Sequence, residues 1–354
     1  MFYKRAFYSF LYTLLGSVFI FLSVIIISDP YMIFHSKWFR KGELYGNMRV
    51  QAYGLIKFED FDSIILGTSM LENTSAKEAS TKLGGHFINL SLAGASYFER
   101  LVVLDHAIMT KEINRIIMSI DFKFNELHEI GDTFFPRLYA GDLSEKFKFY
   151  FHSIPMKCVF LNKCDFKKID LDRPNKWYDK EFHNRRFGGF DNWLKYQKSD
   201  HQIKDVIKIL QSDDFMGNVD LEKSKKIIDS EIIPLFSNKN VQFDLIIPPY
   251  NILWWKKLSN KEKILAVYEY LIQQSEKYPN VKIYWFYDED FPADISSYKD
   301  LTHYHQSINS LQIDAIKNGT HLITTKNYQQ KFRKWMRKVN HFDIRPYMDK
   351  ITGQ

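Results

Sequence analysis

The chain has 354 residues, of which 45% are hydrophobic and 16% aromatic, so it is long and apolar enough to fold around a sizeable core. This composition excludes disorder throughout the chain. The formal net charge of +7 permits attraction to anionic lipids, acidic glycans or nucleic acid, but a modest excess of lysine is common on soluble surfaces and does not select a partner.

The first element is an uncharged apolar run over 7–27. At about 1.5 Å per residue, about twenty helical residues span a hydrocarbon layer of roughly 30 Å. A cleaved signal peptide is the competing interpretation, but its apolar region is usually shorter, and no small-residue cleavage site follows Ile27. The run therefore predicts an uncleaved transmembrane anchor over 1–28, with the lipid bilayer as its partner.

Positive charge flanks both ends of this anchor. Lys4 and Arg5 precede it, and Lys37, Arg40 and Lys41 follow it, so the positive-inside rule is nearly balanced. A short N-terminal stub before a large C-terminal domain is typical of a signal anchor that exports the domain. We therefore expect a single-pass protein of the cell (inner) membrane whose main domain is extracytoplasmic, in the periplasm.

After a connector over 29–61, short runs rich in Ile, Val and aromatic residues alternate with helix-type runs. Most of the short runs are continuously apolar, which is typical of strands covered on both faces. The strand candidates are 63–66, 87–90, 115–120, 243–247 and 282–287, and the helix candidates are 71–82, 97–109, 221–236, 261–277 and 306–317. This order predicts an α/β fold, a three-layer α/β/α sandwich around a mostly parallel five-stranded sheet. In such sheets, sites form beyond the carboxyl ends of the strands.

The segment 122–211 interrupts this alternation and is predicted to be an insertion in an α/β domain that spans 62–320. Two interpretations are open for it: a small helical subdomain, or a lid or acceptor-binding surface that contacts a polar ligand. Within it, the spacing of Cys158 and Cys164 suits either a small-loop disulfide in an oxidising compartment or two buried thiols. Neither cysteine has the neighbours of a zinc site, and we predict no metal and no cofactor.

The last segment, 321–354, is a basic tail. Over 326–338 its lysines and arginines are interleaved with Phe332 and Trp335. This amphipathic pattern suits an anionic membrane surface, or a solvated terminal helix that packs one aromatic edge on the domain. Nucleic acid is not an expected partner, because an anchored and exported domain seldom meets it.

Two short motifs point to chemistry: Gly-Thr-Ser at 67–69, which closes the first strand candidate, and Asp-Leu-Thr-His at 300–303. A hydroxyl is a poor nucleophile at neutral pH, so it needs a neutral imidazole to accept its proton and a carboxylate to orient that imidazole. The pair of motifs predicts serine acyl transfer with Ser69, His303 and Asp300 as catalytic residues. The structural alternatives are a helix N-cap for Ser69, a turn cap for Asp300 and a buried structural histidine for His303.

In this order the motifs resemble the conserved blocks of the SGNH (GDSL-like) hydrolase superfamily, particularly its membrane-anchored branch of cell-surface polysaccharide-modifying proteins. The tripeptide at 67–69 resembles the nucleophile block, and 89–96 resembles the second block, in which Gly94 is the oxyanion glycine. Pro-Pro-Tyr-Asn at 248–251 follows a late core strand, and 300–303 matches the final D-x-x-H block. The matches span 64–316 but are short, and they leave the insertion and the tail unmatched.

The resemblance implies a flavodoxin-like sandwich and a membrane-anchored serine acyltransferase or acyl esterase. Such a protein forms an acyl-serine intermediate and acts on a cell-surface glycan or glycolipid, with a multispanning membrane partner that supplies a small acyl group. One alternative is a lipase-like or thioester hydrolase that uses water. Another is a non-catalytic scaffold of SGNH fold that binds a membrane acyltransferase.

One block departs from this pattern. The third block usually carries Gly-x-Asn-Asp, whose Asn binds the oxyanion, whereas the third strand candidate leads here to Asp121 and Asn125. An ionised Asp121 is a poor donor, so Asn125 reaches the site, or backbone N–H groups alone form the oxyanion hole, or transfer to a bound acceptor is preferred over hydrolysis. Tyr250 and Asn251 are further candidates for substrate binding. A helix starting at 71 would add a favourable dipole at the nucleophile.

Overall fold

The structure is a computed structural model that describes residues 2–38, 43–45, 47–121, 134–141, 143–164, 166–168, 187–212 and 219–353. The chain divides into two compact units. The first unit comprises Met1–Asp60 and Gly131–Ile169, and the second comprises Phe61–Ile130 and Asp170–Gln354. The predicted insertion over 122–211 is therefore shared between the two units and is not a single appendage of the α/β domain.

The described strands, in chain order, are β1 Glu43–Tyr45, β2 Ser63–Leu66, β3 Phe87–Asn89, β4 Arg115–Ser119, β5 Phe166–Lys168, β6 Gln242–Ile247 and β7 Val281–Trp285. The described helices are α1 Phe2–Ser28, α2 Met48–Phe58, α3 Ala76–Leu83, α4 Tyr97–Thr110, α5 Phe134–Tyr139, α6 Leu143–Tyr150, α7 Ser153–Leu161, α8 Phe190–Tyr196, α9 His201–Gln211, α10 Leu221–Ile227, α11 Ile252–Lys257, α12 Lys261–Ser275, α13 Gln306–Asn318, α14 Tyr328–His341 and α15 Arg345–Thr352.

The first unit begins with the long apolar helix α1. Within Tyr3–Ser28 an 18-residue window has a mean hydropathy of 2.6, and the helix is long and apolar enough to cross a membrane, as a single-pass anchor requires. The helix ends at Asp29, whose backbone is left-handed and whose carboxylate accepts the N–H groups of Ile33 and His35 at 2.9 and 2.8 Å. These bonds stop the helix where the apolar run stops.

Within the predicted connector over 29–61, the described residues up to Asp60 belong to the first unit and form secondary structure. It contains α2, in which Val50, Ala52 and Leu55 are buried, and β1, which pairs antiparallel with β5. Apolar residues at helical spacing need a surface to pack against, which a free connector does not provide. In the same unit Cys158 and Cys164 form a disulfide, so the two-thiol alternative does not hold.

The second unit is built on a five-stranded, all-parallel sheet of order β3-β2-β4-β6-β7, with helices around it. Each strand lies within two residues of its predicted bounds, which confirms the α/β class. Ile65, Ile117, Ile246 and Tyr284, on four of the strands, are buried in one core cluster. Because the strands are parallel, the loops after β2, β3, β4 and β6 all emerge at the same edge of the sheet.

The predicted helix over 71–82 begins later than expected, at Ala76. Ser75 is its N-cap, with Oγ accepting the N–H of Glu78 at 3.1 Å. Upstream, the Asn89 side-chain amide donates to the carbonyls of Leu71 and Thr74, both at 2.8 Å. A distant side chain thus satisfies carbonyls that a helix would have used, and Ser69 does not stand at a helix N-terminus.

The helix predicted over 221–236 is also interrupted. It ends as α10 at Ile227 and continues through a π turn, Ile228–Ile232, and a 3-10 turn, Ile233–Ser237. Pro234 lies at the start of the last turn, where its missing N–H cannot complete a helical hydrogen bond.

The predicted basic tail over 321–354 packs on the second unit. Trp335 of α14 is buried, with its ring centroid 4.5 Å from that of Tyr287 and 6.1 Å from that of Trp255. Arg333, Lys334 and Arg337 lie exposed on the opposite side. Of the two interpretations of this segment, the terminal helix that packs its aromatic edge describes the structure.

Candidate active site

Three side chains from two distant loops form one hydrogen-bonded series. Ser69 lies just beyond the carboxyl end of β2, and its Oγ is 2.7 Å from Nε2 of His303, 234 positions away in the chain. Nδ1 of the same imidazole is 2.8 Å from Oδ2 of Asp300. Hydroxyl, imidazole and carboxylate stand in the order that proton transfer from a serine nucleophile requires.

The loop that carries Asp300 and His303 is braced internally and from behind. Oδ1 of Asp300 accepts the N–H groups of Thr302 at 2.9 Å and His303 at 2.8 Å, which closes a tight turn. From the loop after β6, Asn251 donates its side-chain amide to the Asp300 carbonyl at 3.0 Å and its backbone N–H to the Leu301 carbonyl at 3.2 Å. The orientation of the imidazole is therefore set by two elements.

Electrostatics keep the carboxylate ionised. Burial alone would raise the pKa of Asp300, but the charge of His303, its hydrogen bonds and the charge of Lys299 outweigh burial and hold that pKa well below its usual range. Lys299 is itself buried, with Nζ 3.9 Å from Oδ2 of Asp300. An ionised Asp300 is the form that stabilises an imidazolium.

The loop that carries Ser69 is hydrogen-bonded to the ends of both neighbouring strands. The Gly67 N–H donates to Oγ of Ser91, beyond β3, at 3.0 Å, and the Thr68 N–H donates to Oγ of Ser119, at the end of β4, at 3.3 Å. Only glycine fits at position 67, because a Cβ there would lie 2.8 Å from the Leu71 side chain and from Oγ of Ser119. Ser69 is thus presented on a close-packed turn.

Beneath this turn, Asp121 is a buried acceptor that joins three loops. Its Oδ1 accepts the hydroxyls of Thr68 and Tyr250, both at 3.1 Å, and its Oδ2 accepts the hydroxyl of Ser119 at 2.8 Å. Nη1 of Arg100 lies 3.2 Å from Oδ2, and both side chains are almost fully buried. The carboxylate is occupied by protein donors and helps to hold the loop that carries Ser69 in place.

This cluster is what sequence reasoning missed. From sequence, Asp121 is interpreted only as a poor oxyanion donor, and no role is predicted for Arg100. One signal was present: Arg100 is a charged residue next to Leu101, Val103 and Leu104 on the apolar side of α4. Its guanidinium stacks 4.0 Å from the ring centroid of Tyr97, one helical turn earlier.

The other expected ligand-binding residues have different placements. Tyr250 and Asn251 are buried, and their side chains donate hydrogen bonds to Asp121 and to the Asp300 carbonyl, so they help to position the loops of the site. Gly94 is exposed in a left-handed turn, with open space around the Cβ position. Asn125 lies outside the described residues.

The structural alternatives for the three side chains can be compared with these contacts. Ser75, not Ser69, caps the following helix. His303 is one-quarter exposed and so is not a buried structural histidine. Asp300 both caps its turn and binds the imidazole. The neighbouring His305 is the N-cap of α13.

Among the residues that the structure describes, no cluster of three or more His, Cys, Asp or Glu side chains is suited to a metal ion.

No family model, curated protein or solved structure matches the chain.

Proposed function

We propose that the protein is a membrane-anchored serine acyltransferase or acyl esterase of SGNH type, with its sheet in a three-layer α/β/α sandwich. The observation that carries this proposal is the series Ser69 Oγ, His303 and Asp300, with separations of 2.7 and 2.8 Å. Such a series makes a serine hydroxyl nucleophilic at neutral pH.

In the proposed reaction, Nε2 of His303 takes the proton of Ser69 as Oγ attacks an ester or thioester carbonyl. Asp300 stabilises the imidazolium that results. The imidazolium then protonates the leaving group, and an acyl-serine remains. In the second half, the neutral imidazole accepts a proton from the acceptor hydroxyl as its oxygen attacks the acyl carbon. The bond between the acyl carbon and Oγ then breaks, and the imidazolium returns the proton to Oγ of Ser69.

The negative oxygen of the tetrahedral intermediate needs hydrogen-bond donors. Since Asp121 is an acceptor already filled by protein donors, we assign this role to the backbone N–H groups of Ser69 and Gly94. Each such donor is worth about 3 kcal/mol of transition-state stabilisation. A hole built from the backbone also does not depend on an Asn in the third block.

We further propose that the acceptor is a cell-surface glycan or glycolipid, and that a multispanning membrane protein supplies the acyl group. The long apolar helix α1 supports a membrane location. The Cys158–Cys164 disulfide supports an oxidising compartment, the periplasm, for the folded part of the chain.

The nucleophile can be tested with a serine-directed fluorophosphonate probe on the full chain in detergent. We expect the probe to label the wild type and to lose its site in Ser69→Ala. Ser259→Ala is the matched control, because Ser259 is an exposed serine remote in sequence from both motifs. Labelling that persists unchanged in Ser69→Ala would remove Ser69 as the nucleophile.

The alternatives separate by product. With an acyl donor present, transfer to added glycan favours the acyltransferase, and release of free acid alone favours a hydrolase that uses water. If the folded wild type neither reacts with the probe nor turns over any ester, the remaining alternative is the non-catalytic scaffold.

A further inference from the structure

The helix α7 exposes large apolar side chains. Phe160 and Leu161 at its end are 41% and 60% exposed, and Phe151 just before it is 54% exposed. Within Ser153–Leu161 the only charged residue is Lys157. Helices that face water normally carry polar residues on the exposed side, so a contiguous apolar patch indicates a different neighbour.

This patch is continuous with the membrane-spanning candidate α1. The ring centroids of Phe151 and Phe160 lie 6.1 and 5.1 Å from that of Phe21, with the planes within about 11° of parallel. Phe21 stands six residues before Ile27, where the uncharged run ends, which is about 9 Å along a helix. When that run fills a hydrocarbon layer of roughly 30 Å, the two rings lie inside the layer's boundary.

We propose that the apolar surface formed by Phe151, Phe160 and Leu161 is immersed in the same lipid layer that α1 crosses. The occupant of this surface is bilayer lipid, acyl chains against the rings and headgroups above them. Because α7 is helical, its backbone groups are largely satisfied within the segment, as burial in lipid requires. The first unit is then held to the bilayer at two places, which limits its rotation about α1.

Two exposed lysines flank the apolar surface in sequence, as expected for a segment at the boundary between acyl chains and headgroups. Lys157 is exposed one turn before Phe160 and Leu161, and Lys163 is exposed just after them. Long lysine side chains can bury their methylene groups and reach the phosphates of the headgroups. The Cys158–Cys164 disulfide and the left-handed Asn162 reverse the chain directly after α7.

Trp38 lies close to the end of the apolar run of α1, where the interface between acyl chains and headgroups is expected. It is 57% exposed and stacks on His35, with ring centroids 3.7 Å apart. Nε2 of His35 lies 2.7 Å from the carbonyl of Ile26, at the end of the apolar run. Tryptophan is enriched at this level of membrane proteins, where apolar chains meet headgroups.

The test uses the full chain in nanodiscs of phosphatidylethanolamine and phosphatidylglycerol, with the photo-crosslinker benzoylphenylalanine placed at position 160 or 161. Position 19, exposed on α1, is the positive control, and position 57, exposed beside Glu59 and Asp60 at the charged end of α2, is the matched negative control. We expect lipid adducts at positions 160, 161 and 19, and no lipid adduct at position 57. A circular dichroism spectrum like that of the wild type verifies that each variant has folded.

Three outcomes overturn the proposal. A lipid adduct at position 19 with none at 160 or 161 places α7 in water, while α1 still crosses the bilayer. A cross-link from 160 to a second copy or to another protein makes protein the occupant. No lipid adduct at 19 removes the spanning helix and this inference with it, while the serine site, tested separately with the fluorophosphonate probe, is unaffected.

Discussion

At the scale of single residues, the decisive feature is that His303 contacts Ser69 through one ring nitrogen and Asp300 through the other. The bond to Asp300 fixes the tautomer in which Nε2 is free to accept a proton. Against the effect of burial, the charge and hydrogen bonds of His303 and the charge of Lys299 hold the pKa of Asp300 well below its usual range, so its carboxylate is ionised at neutral pH.

We expect Ser69→Ala and His303→Ala to lower kcat by about 10⁶-fold and Asp300→Asn by about 10⁴-fold, because the serine and histidine carry the chemistry while the carboxylate orients it. Ester turnover by the purified chain, with circular dichroism to verify folding, measures this. Asp294→Asn is the matched control, since Asp294 caps a turn in the same region at Ser296 and is exposed. Equal turnover in wild type and all three variants would contradict the proposed triad.

At the scale of elements, the site is assembled from the ends of adjacent parallel strands. The loop after β2 carries Ser69, the end of β4 supplies Ser119 and Asp121, and the loop after β6 supplies Tyr250 and Asn251. Asp121 connects all three loops, and Arg100 from α4 balances its charge. A buried carboxylate of this kind needs its cation, and the cation needs the carboxylate.

Asp121→Asn should therefore destabilise the protein by about 3–5 kcal/mol, because it leaves the Arg100 guanidinium buried without its counter-ion. Urea unfolding measures the free energy of unfolding. Adding Arg100→Met to Asp121→Asn should restore part of the loss. Asp343→Asn, which breaks the exposed pair with Arg345, is the control and should change stability little. An Asp121→Asn protein as stable as the wild type would show that the pair does not hold the loops.

At the scale of the whole molecule, two compact units share one chain that begins with an apolar helix. The first unit contains that helix and the disulfide, and the second contains the parallel sheet and the serine site. The insertion predicted from sequence is divided between them. The chemistry of the two cysteines, which are all that the chain has, reports the compartment of the first unit.

The full chain is extracted from native membranes and denatured without reductant, and we expect it to take up no maleimide. After reduction it should take up two equivalents, one for each cysteine of the chain. The reason is that a disulfide persists on the oxidising side of the membrane and seldom in the cytosol. Cys158→Ser is the control, because it leaves Cys164 as one reactive thiol before reduction. Alkylation of both thiols without reductant would place this unit on the cytosolic side.

The strands and the apolar helix were predictable because each follows from a local pattern, a continuous apolar run whose burial does not depend on knowing the neighbour. The motifs at 67–69 and 300–303 were also visible, since the residue types that proton transfer needs are few. The late start of α3 was not visible, because Asn89, a residue of the next strand, takes the Leu71 and Thr74 carbonyls.

Sequence by itself thus determined the α/β class, the candidate membrane helix and the identity of the three side chains at the proposed active site. Tertiary structure alone decided that Arg100 pairs with Asp121 and that the two cysteines are bonded. It also decided that Tyr250 and Asn251 donate hydrogen bonds to Asp121 and to the Asp300 carbonyl. The physical reason is that hydrophobic patterning is repeated along the chain and can be read locally. The partner of a buried polar group instead depends on which loops the order of the strands brings to the same edge of the sheet.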